Sequence, residues 1–95
     1  MAELKLISKR KEIKSLVQAA LVNEQHLLEA GLRRTEEKLA EFEAKYKLGT
    51  QEFISRFEND EIEESLDLSE WMGEFRMRER LREKIETLKD VQIAN

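Results

Sequence analysis

The sequence predicts an all-α protein built from a long helix, a short helix and a second long helix. Its 95 residues include no proline, a residue that breaks helix interiors. Alanine, leucine, glutamate, lysine and arginine dominate, and 40% of the residues are charged, a composition typical of long helices and coiled coils. Apolar residues also recur at alternating spacings of three and four. We therefore predict a single helical domain, residues 1–95, folded as an antiparallel helical hairpin or coiled coil.

The composition also limits the classes of function. The chain has no cysteine, which excludes disulfide scaffolds, thiolate metal sites and cysteine nucleophiles. No apolar run approaches the roughly 20 residues that cross a bilayer, and no segment reads as a signal peptide, so we expect a cytoplasmic protein. The net charge of -4 lacks the overall basic character of a nucleic-acid-binding domain.

The first helix is predicted from about Leu4 to Lys47, and its second half carries a coiled-coil seam. The seam residues follow one another at spacings of four and three: Leu21, Gln25, Leu28, Leu32, Thr35, Leu39, Phe42 and Tyr46. The pattern shifts near Ala20, so the sequence leaves open whether residues 4–47 form one helix or two. Gly31 lies where the seam continues on both sides, and we interpret it as a point of close packing against a partner helix.

Turn signals then divide the rest of the chain. Gly49 is expected to take the left-handed conformation that ends a helix, and Thr50 to cap a short helix over residues 50–58. Asn59 and Asp60 should end that short helix through side-chain hydrogen bonds to the backbone.

An acidic loop over residues 59–67 is predicted to lead into the last helix, residues 68–92. Asp67 and Glu70 stand at the N-cap and N3 positions of a capping box. We expect Trp71 and Phe75, at the start of this helix, to pack with Phe53 and Phe57 of the short helix as a small aromatic cluster.

Residues 21–47 and 68–92 have matching lengths, so we predict that they form the hairpin and that residues 1–20 are a possible projecting arm. The apolar face of that arm would be exposed in a monomer, and such faces usually mark an interface. We therefore predict a homo-oligomer, with a dimer as first choice, or a binding arm for another protein. The interface candidates are Ile13, Leu16, Val17, Ala20, Leu21, Leu28, Leu32, Trp71 and Phe75.

Three charged motifs favour structural interpretations. His26 and Glu29 have the reverse of the Glu-x-x-His order of helical metal sites, so His26 is interpreted as a surface or interface residue. The acids of residues 58–70 are interpreted as a solvated loop, with docking of a basic partner as the alternative. The basic run at residues 9–11 is interpreted as a solvated helix face, with contact to nucleic acid or a charged partner left open. We predict no catalytic, cofactor-binding or metal-binding residues and therefore no enzyme.

About half of the chain resembles a family of small helical prokaryotic proteins. The resemblance rests on residues 43–53, Arg56-Phe57-Glu58, Glu70-Trp71 and Arg80-Leu81. In that family a helix ends in a Lys/Arg-Tyr-Gly turn before a Glu-Glu-Phe segment, and an acidic loop leads to a last helix that starts Glu-Trp. This chain has Lys47-Leu48-Gly49 where the glycine usually follows the tyrosine directly. Many such proteins look like antitoxin-type partners of a small toxin, and no functional residue follows from the resemblance.

Taken together, these patterns predict a non-enzymatic protein-protein interaction module. The resemblance implies an antitoxin-like partner of a small toxin, encoded nearby. The alternative is a homo-oligomeric coiled-coil scaffold or adaptor. We expect no membrane partner and no cofactor. Nucleic acid is not the expected ligand, and whether the basic segment of residues 5–14 contacts it is left open.

Overall fold

The computed structural model describes residues 2–5 and 12–94, and it forms the predicted helical hairpin. Helix α1 runs over Ile13–Tyr46, α2 over Thr50–Glu58 and α3 over Leu66–Lys89. Helices α1 and α3 pack against each other along their lengths, and α2 closes one end. The molecule is elongated, 59 by 21 by 18 Å. We call the end with α2 the closed end, residues 48–75, and the other end the open end.

Two short strands lie at the open end, and they overlap the predicted helices at residues 4–5 and 91–92. Strand β1 covers Ala2–Lys5 and β2 covers Val91–Ala94, and they pair in parallel with Ala2 opposite Val91. The first helix therefore begins at Ile13, and the predicted start near Leu4 is wrong. The last helix ends at Lys89, three residues before the predicted end. Strand β1 alternates apolar and polar residues with the period of two that favours a strand, and β2 does so over its first three residues, but such short segments do not stand out in a sequence.

The end of α1 is formed by a lysine, although a glycine stands two residues further on. Lys47 takes the left-handed conformation with φ 52°, and its backbone N–H and that of Leu48 donate to Glu43 O. Gly49 has φ −70° and ψ 149°, so its predicted left-handed role is wrong. It stands at the N-cap of α2, and Phe53 N donates to its carbonyl oxygen at 2.9 Å.

The two predicted N-caps are shifted for one physical reason, since their side chains bind elsewhere. The N–H of Thr50 donates to Glu43 Oε2 at 2.8 Å, and its hydroxyl accepts from Trp71 Nε1 at 3.1 Å. Asp67 accepts hydrogen bonds from α1. The N-cap of α3 is Ser65, whose Oγ accepts from Leu68 N at 3.2 Å. The predicted break after the short helix is confirmed, with Asn59 at the C-cap and Asp60 at φ 54°.

The core lies at the closed end and is organised around Trp71. The indole is fully buried and stacks on Phe53 at 4.0 Å between ring centroids, with 6° between the planes. The rings of Phe42 and Tyr46 stack on the indole at 5.6 and 5.7 Å. Trp71 thus contacts aromatic residues of α1 and α2, which confirms the predicted aromatic cluster and extends it to the first helix. The other buried members of this core are Leu39, Ile54 and Met72.

Beyond this core the hairpin is held by a thin seam. Leu28 and Thr35 of α1 and Ile85 of α3 are buried there, and the hydroxyl of Thr35 donates to Leu32 O at 2.9 Å. A Cβ on Gly31 would lie 3.4 Å from Leu81 Cδ1, so the glycine marks a close approach of the two helices as predicted. The helix runs through it without a break.

Replacing Thr50 with valine tests the indole hydrogen bond at constant side-chain shape. Thr50→Val leaves the buried indole N–H of Trp71 without an acceptor, so we expect the free energy of unfolding to fall by about 1–3 kcal/mol. Urea unfolding followed by circular dichroism measures the change. The matched control is Thr87→Val, the same substitution at an exposed site, which should change stability by no more than about 0.5 kcal/mol. Equal effects at the two sites would contradict the assigned role of the bond.

Two glycines in helix interiors offer a second matched comparison. Gly73→Ala should raise the free energy of unfolding by about 0.5–1 kcal/mol, since a Cβ there meets no atom within 4 Å. Gly31→Ala gives the same helix-propensity gain but places its Cβ against Leu81, so we expect a smaller gain. Gly31→Val should lower stability by about 1 kcal/mol or more through overpacking. If Gly31→Val and Gly31→Ala had the same free energy of unfolding, the two helices would not be closely packed at this position.

Candidate functional site: an exposed apolar face on the first helix

The first half of α1 contains few charged residues in a chain where 40% of the residues are charged. Residues 13–30 include only Lys14, Glu24 and Glu29 as charged side chains. Three of the largest exposed apolar residues of the chain lie in this segment: Leu16 is 62% exposed, Leu27 is 60% exposed and Val22 is 52% exposed. A helix segment that lacks both charge and a covering surface is typical of an interface.

Several of these residues share one face of α1, which we call the outer stripe. Its members follow one another at spacings of four and three, and all of them are exposed: Leu16, Ala20, Asn23, Leu27 and Ala30. At 100° per residue, the outer stripe lies about 120° around α1 from the buried residues Leu28, Thr35 and Leu39. Helix α1 therefore carries two seams of coiled-coil spacing, one facing α3 and one facing solvent.

The nine predicted interface candidates separate into three groups. Leu16 and Ala20 are exposed on the outer stripe. Four residues of α1 are half-buried: Ile13, Val17, Leu21 and Leu32. The remaining three belong to the hairpin interior, because Trp71 is fully buried, Leu28 is 9% exposed and Phe75 packs against the core.

Trp71 and Leu28 are therefore not part of the exposed candidate surface, because their side chains are buried by contacts within the chain. Sequence analysis missed Leu27 and Ala30 as surface residues. A second frame of 4-3 spacing, offset from the seam by one residue at Leu27, was the signal that could have found them.

The closed end has the opposite character, with an exposed and strongly acidic surface. Residues 48–75 carry nine acidic side chains and one basic one. The acids of the loop between α2 and α3 are exposed, and Leu66 beside them is 82% exposed. The middle of the hairpin is basic, since residues 76–84 contain five basic side chains and two acidic ones. Charge is therefore unevenly distributed along the long axis of the molecule.

Asp67 connects this acidic end to the end of α1. Its Oδ2 accepts hydrogen bonds from Lys45 Nζ and from Tyr46 Oη, the latter at 2.6 Å. The hydrogen bond and charge of Lys45, together with the hydrogen bond of Tyr46, lower the pKa of the Asp67 carboxyl. The hydrogen bond to Asp67 raises the pKa of Lys45, and it raises the pKa of Tyr46, which partial desolvation raises further. The cluster therefore favours an ionised Asp67 beside a charged Lys45.

Arg78 is a second charged group that the hairpin places in an unexpected position. It lies in the basic stretch of α3, residues 76–84, but only 14% of its side chain is exposed. Its guanidinium lies over the Phe75 ring, 5.2 Å from the centroid, and Nη2 donates to Glu79 Oε1 at 3.3 Å. The buried Nε has no hydrogen-bond partner within the described residues. Arg78 lies seven residues before the buried Ile85, on the same face of α3. Its aliphatic stem therefore packs where an apolar side chain would otherwise be expected.

The two long helices form a groove between them near the open end. This groove has a volume of about 390 Å³ and is lined by charged and aliphatic side chains of both long helices: Glu24, Leu28, Glu83, Lys84, Thr87 and Leu88. Within residues 2–5 and 12–94, no group of three or more histidine or carboxylate side chains is placed to hold a metal ion. His26 is exposed on α1.

A scan against protein-family models finds no match, and searches of curated proteins and of solved structures find none either. In the part of the chain that the structure describes, no helix has the length and apolar character needed to span a bilayer.

The contacts of Asp67 predict how stability varies with pH. A carboxyl with a lowered pKa stabilises the fold above the ordinary Asp pKa near 3.9, and this contribution is lost as pH falls through the lowered value. The raised pKa values of Lys45 and Tyr46 mean that their contribution is lost as pH rises above about 10. We therefore expect Asp67→Asn to lower Tm between about pH 5 and 9, and the difference to shrink below pH 4 and above pH 10.

Thermal unfolding followed by circular dichroism across this pH range measures the effect. Glu64→Gln removes one negative charge from the same acidic end at an exposed position and should not lower Tm at neutral pH. A Tm difference for Asp67→Asn that stays constant from pH 3 to 9 would contradict the assigned cluster.

Proposed function

We propose that this protein is a non-enzymatic protein-protein interaction module that self-associates into a homodimer through the outer stripe of α1. The observation that carries the proposal is the exposure of Leu16 and Leu27, each at least 60%, on a charge-poor face of a long helix. Exposed leucines on one regular helical face would be covered if a second helix packed on them.

The energy available from this face suits a modest, reversible dimer. Two copies would bury four leucine side chains, and each contributes on the order of 1 kcal/mol or more when it leaves water. The exposed alanines let a partner helix approach closely but add little apolar area. Association also costs several kcal/mol in lost freedom of the two molecules. We therefore expect a weak, reversible dimer that forms only at high protein concentration.

The antitoxin-like role is a narrower form of this proposal and rests on the resemblance of residues 43–58 and 70–81. In that role a basic, toxin-like partner would dock on the acidic closed end, where residues 48–75 carry a net charge of -8. Co-expression with the product of the neighbouring gene tests it, since an antitoxin should co-purify with the partner and restore growth. Absence of both effects would favour the alternative, a homo-oligomeric scaffold or adaptor.

Sedimentation equilibrium of the full chain tests self-association directly. We expect the wild-type protein to approach twice the monomer mass of 11.3 kDa at concentrations of tens to hundreds of micromolar. Leu27→Gln should weaken the dimer by at least tenfold, because it places an amide in the proposed interface. Leu66→Gln is the matched control, the same substitution at a leucine that is 82% exposed and lies outside the outer stripe.

Leu66→Gln should leave the dimerisation constant unchanged. A wild-type protein that remains monomeric at millimolar concentration would contradict the proposed self-association. Equal weakening by the two glutamine variants would show that the dimer uses another surface.

A further inference from the structure

We propose that the two copies pair in antiparallel orientation along the outer stripe, with the two-fold axis between Ala20 and Asn23. This inference rests on the proposed self-association and specifies its orientation and register. In this arrangement Leu16 of one copy lies opposite Leu27 of the second copy, and Ala20 lies opposite Asn23 of the second copy. A two-fold axis requires each such contact to occur twice.

The charge distribution of the hairpin favours the antiparallel orientation. A parallel pair would place two closed ends side by side, each with a net charge of -8 over residues 48–75. It would also bring Arg34 of one copy opposite Arg34 of the other, because that residue continues the outer stripe after Ala30. The antiparallel pair moves the closed ends to opposite ends of the dimer, where salt screens their repulsion.

The proposed register pairs the large residues of the outer stripe with each other and the small residues with each other. With the axis between Ala20 and Asn23, two layers of paired leucines enclose two central layers of alanine opposite asparagine. Ile13 would then lie opposite Ala30 of the second copy. The next register, shifted by seven residues, sets Leu16 against Arg34 and brings Glu24 against its own symmetry copy. Those contacts bury a charge and create a repulsion, so the first register is favoured.

Residues beside the stripe supply a matching charge pair. Glu12 and Arg33 flank opposite ends of the paired segment, and both are exposed in the single chain. In the favoured register Glu12 of each copy lies beside Arg33 of the second copy, which gives two attractive pairs. Asn23 is the one polar residue among the five of the outer stripe. A single polar residue at such a position commonly fixes the register of a coiled coil, at a cost in stability.

Distances between spin labels test the orientation on the full-length chain. The protein has no cysteine, so Glu36→Cys gives one exposed label site per copy, outside the paired segment. At 1.5 Å per residue, the favoured antiparallel register places the two sites about 45 Å apart. The shifted register gives about 35 Å, and a parallel pair gives less than about 25 Å.

A charge swap tests the register independently of the labels. Arg33→Glu should weaken the dimer severalfold in sedimentation equilibrium, and Glu12→Lys should do the same. The double variant should recover most of the lost affinity, because the two pairs are restored with reversed sign. The matched control is Arg33→Glu combined with Glu58→Lys, which has the same net charge as the double variant but places the lysine at an exposed position of the closed end, so it should give no recovery.

The outcomes separate this inference from the function on which it rests. A spin-label distance near 45 Å together with recovery in the charge swap supports the antiparallel register. A dimer with a distance near 35 Å or below 25 Å overturns the register or the orientation and leaves self-association intact. A chain that stays monomeric overturns both.

Discussion

The stacking of Trp71 between residues of α1 and α2 is the interaction on which the rest of the structure depends. The indole contacts three other rings, and its N–H donates to Thr50. These contacts require the turn after α1 to place α2 against the hairpin. They also fix the start of α3 beside the last turns of α1. The apolar face of α2 consists of the residues that pack around the indole. Without these contacts, little apolar surface would be buried between α2 and the long helices.

Concentrating the core at the closed end leaves the open end thinly covered. Leu28 and Ile85 are the buried apolar residues of the hairpin beyond the Trp71 core. Helix α1 has 34 residues and α3 has 24, so an antiparallel pairing leaves the first turns of α1 beyond the end of α3. The outer stripe begins in this uncovered segment, at Leu16 and Ala20, and continues beside α3 to Ala30 on a face that α3 does not cover. Its exposure is thus a direct result of where the aromatic residues lie in the chain.

Much of this fold could be predicted because its determinants are periodic and local. The seam from Leu28 to Phe42 and the break at Asn59 follow from spacing and turn chemistry. The two N-caps could not be predicted, since Thr50 and Asp67 are good caps by residue type but bind Trp71, Lys45 and Tyr46 in the folded chain. Contacts between residues twenty positions apart decide such cases. The four-residue strands were missed because a short alternation carries too little pattern to compete with a helical context.

The candidate site shows why burial must be known before an apolar stripe can be assigned to core or surface. Two stripes of 4-3 spacing run along α1 and differ by one residue where Leu27 precedes Leu28. Spacing alone does not separate them, because both stripes have leucines and polar interruptions in the same 4-3 pattern. What separates them is the direction that Trp71 imposes on α3, which covers Leu28 and leaves Leu27 60% exposed. The packing of Trp71, more than forty residues further along the chain, thus determines which face of the first helix remains free for a second copy.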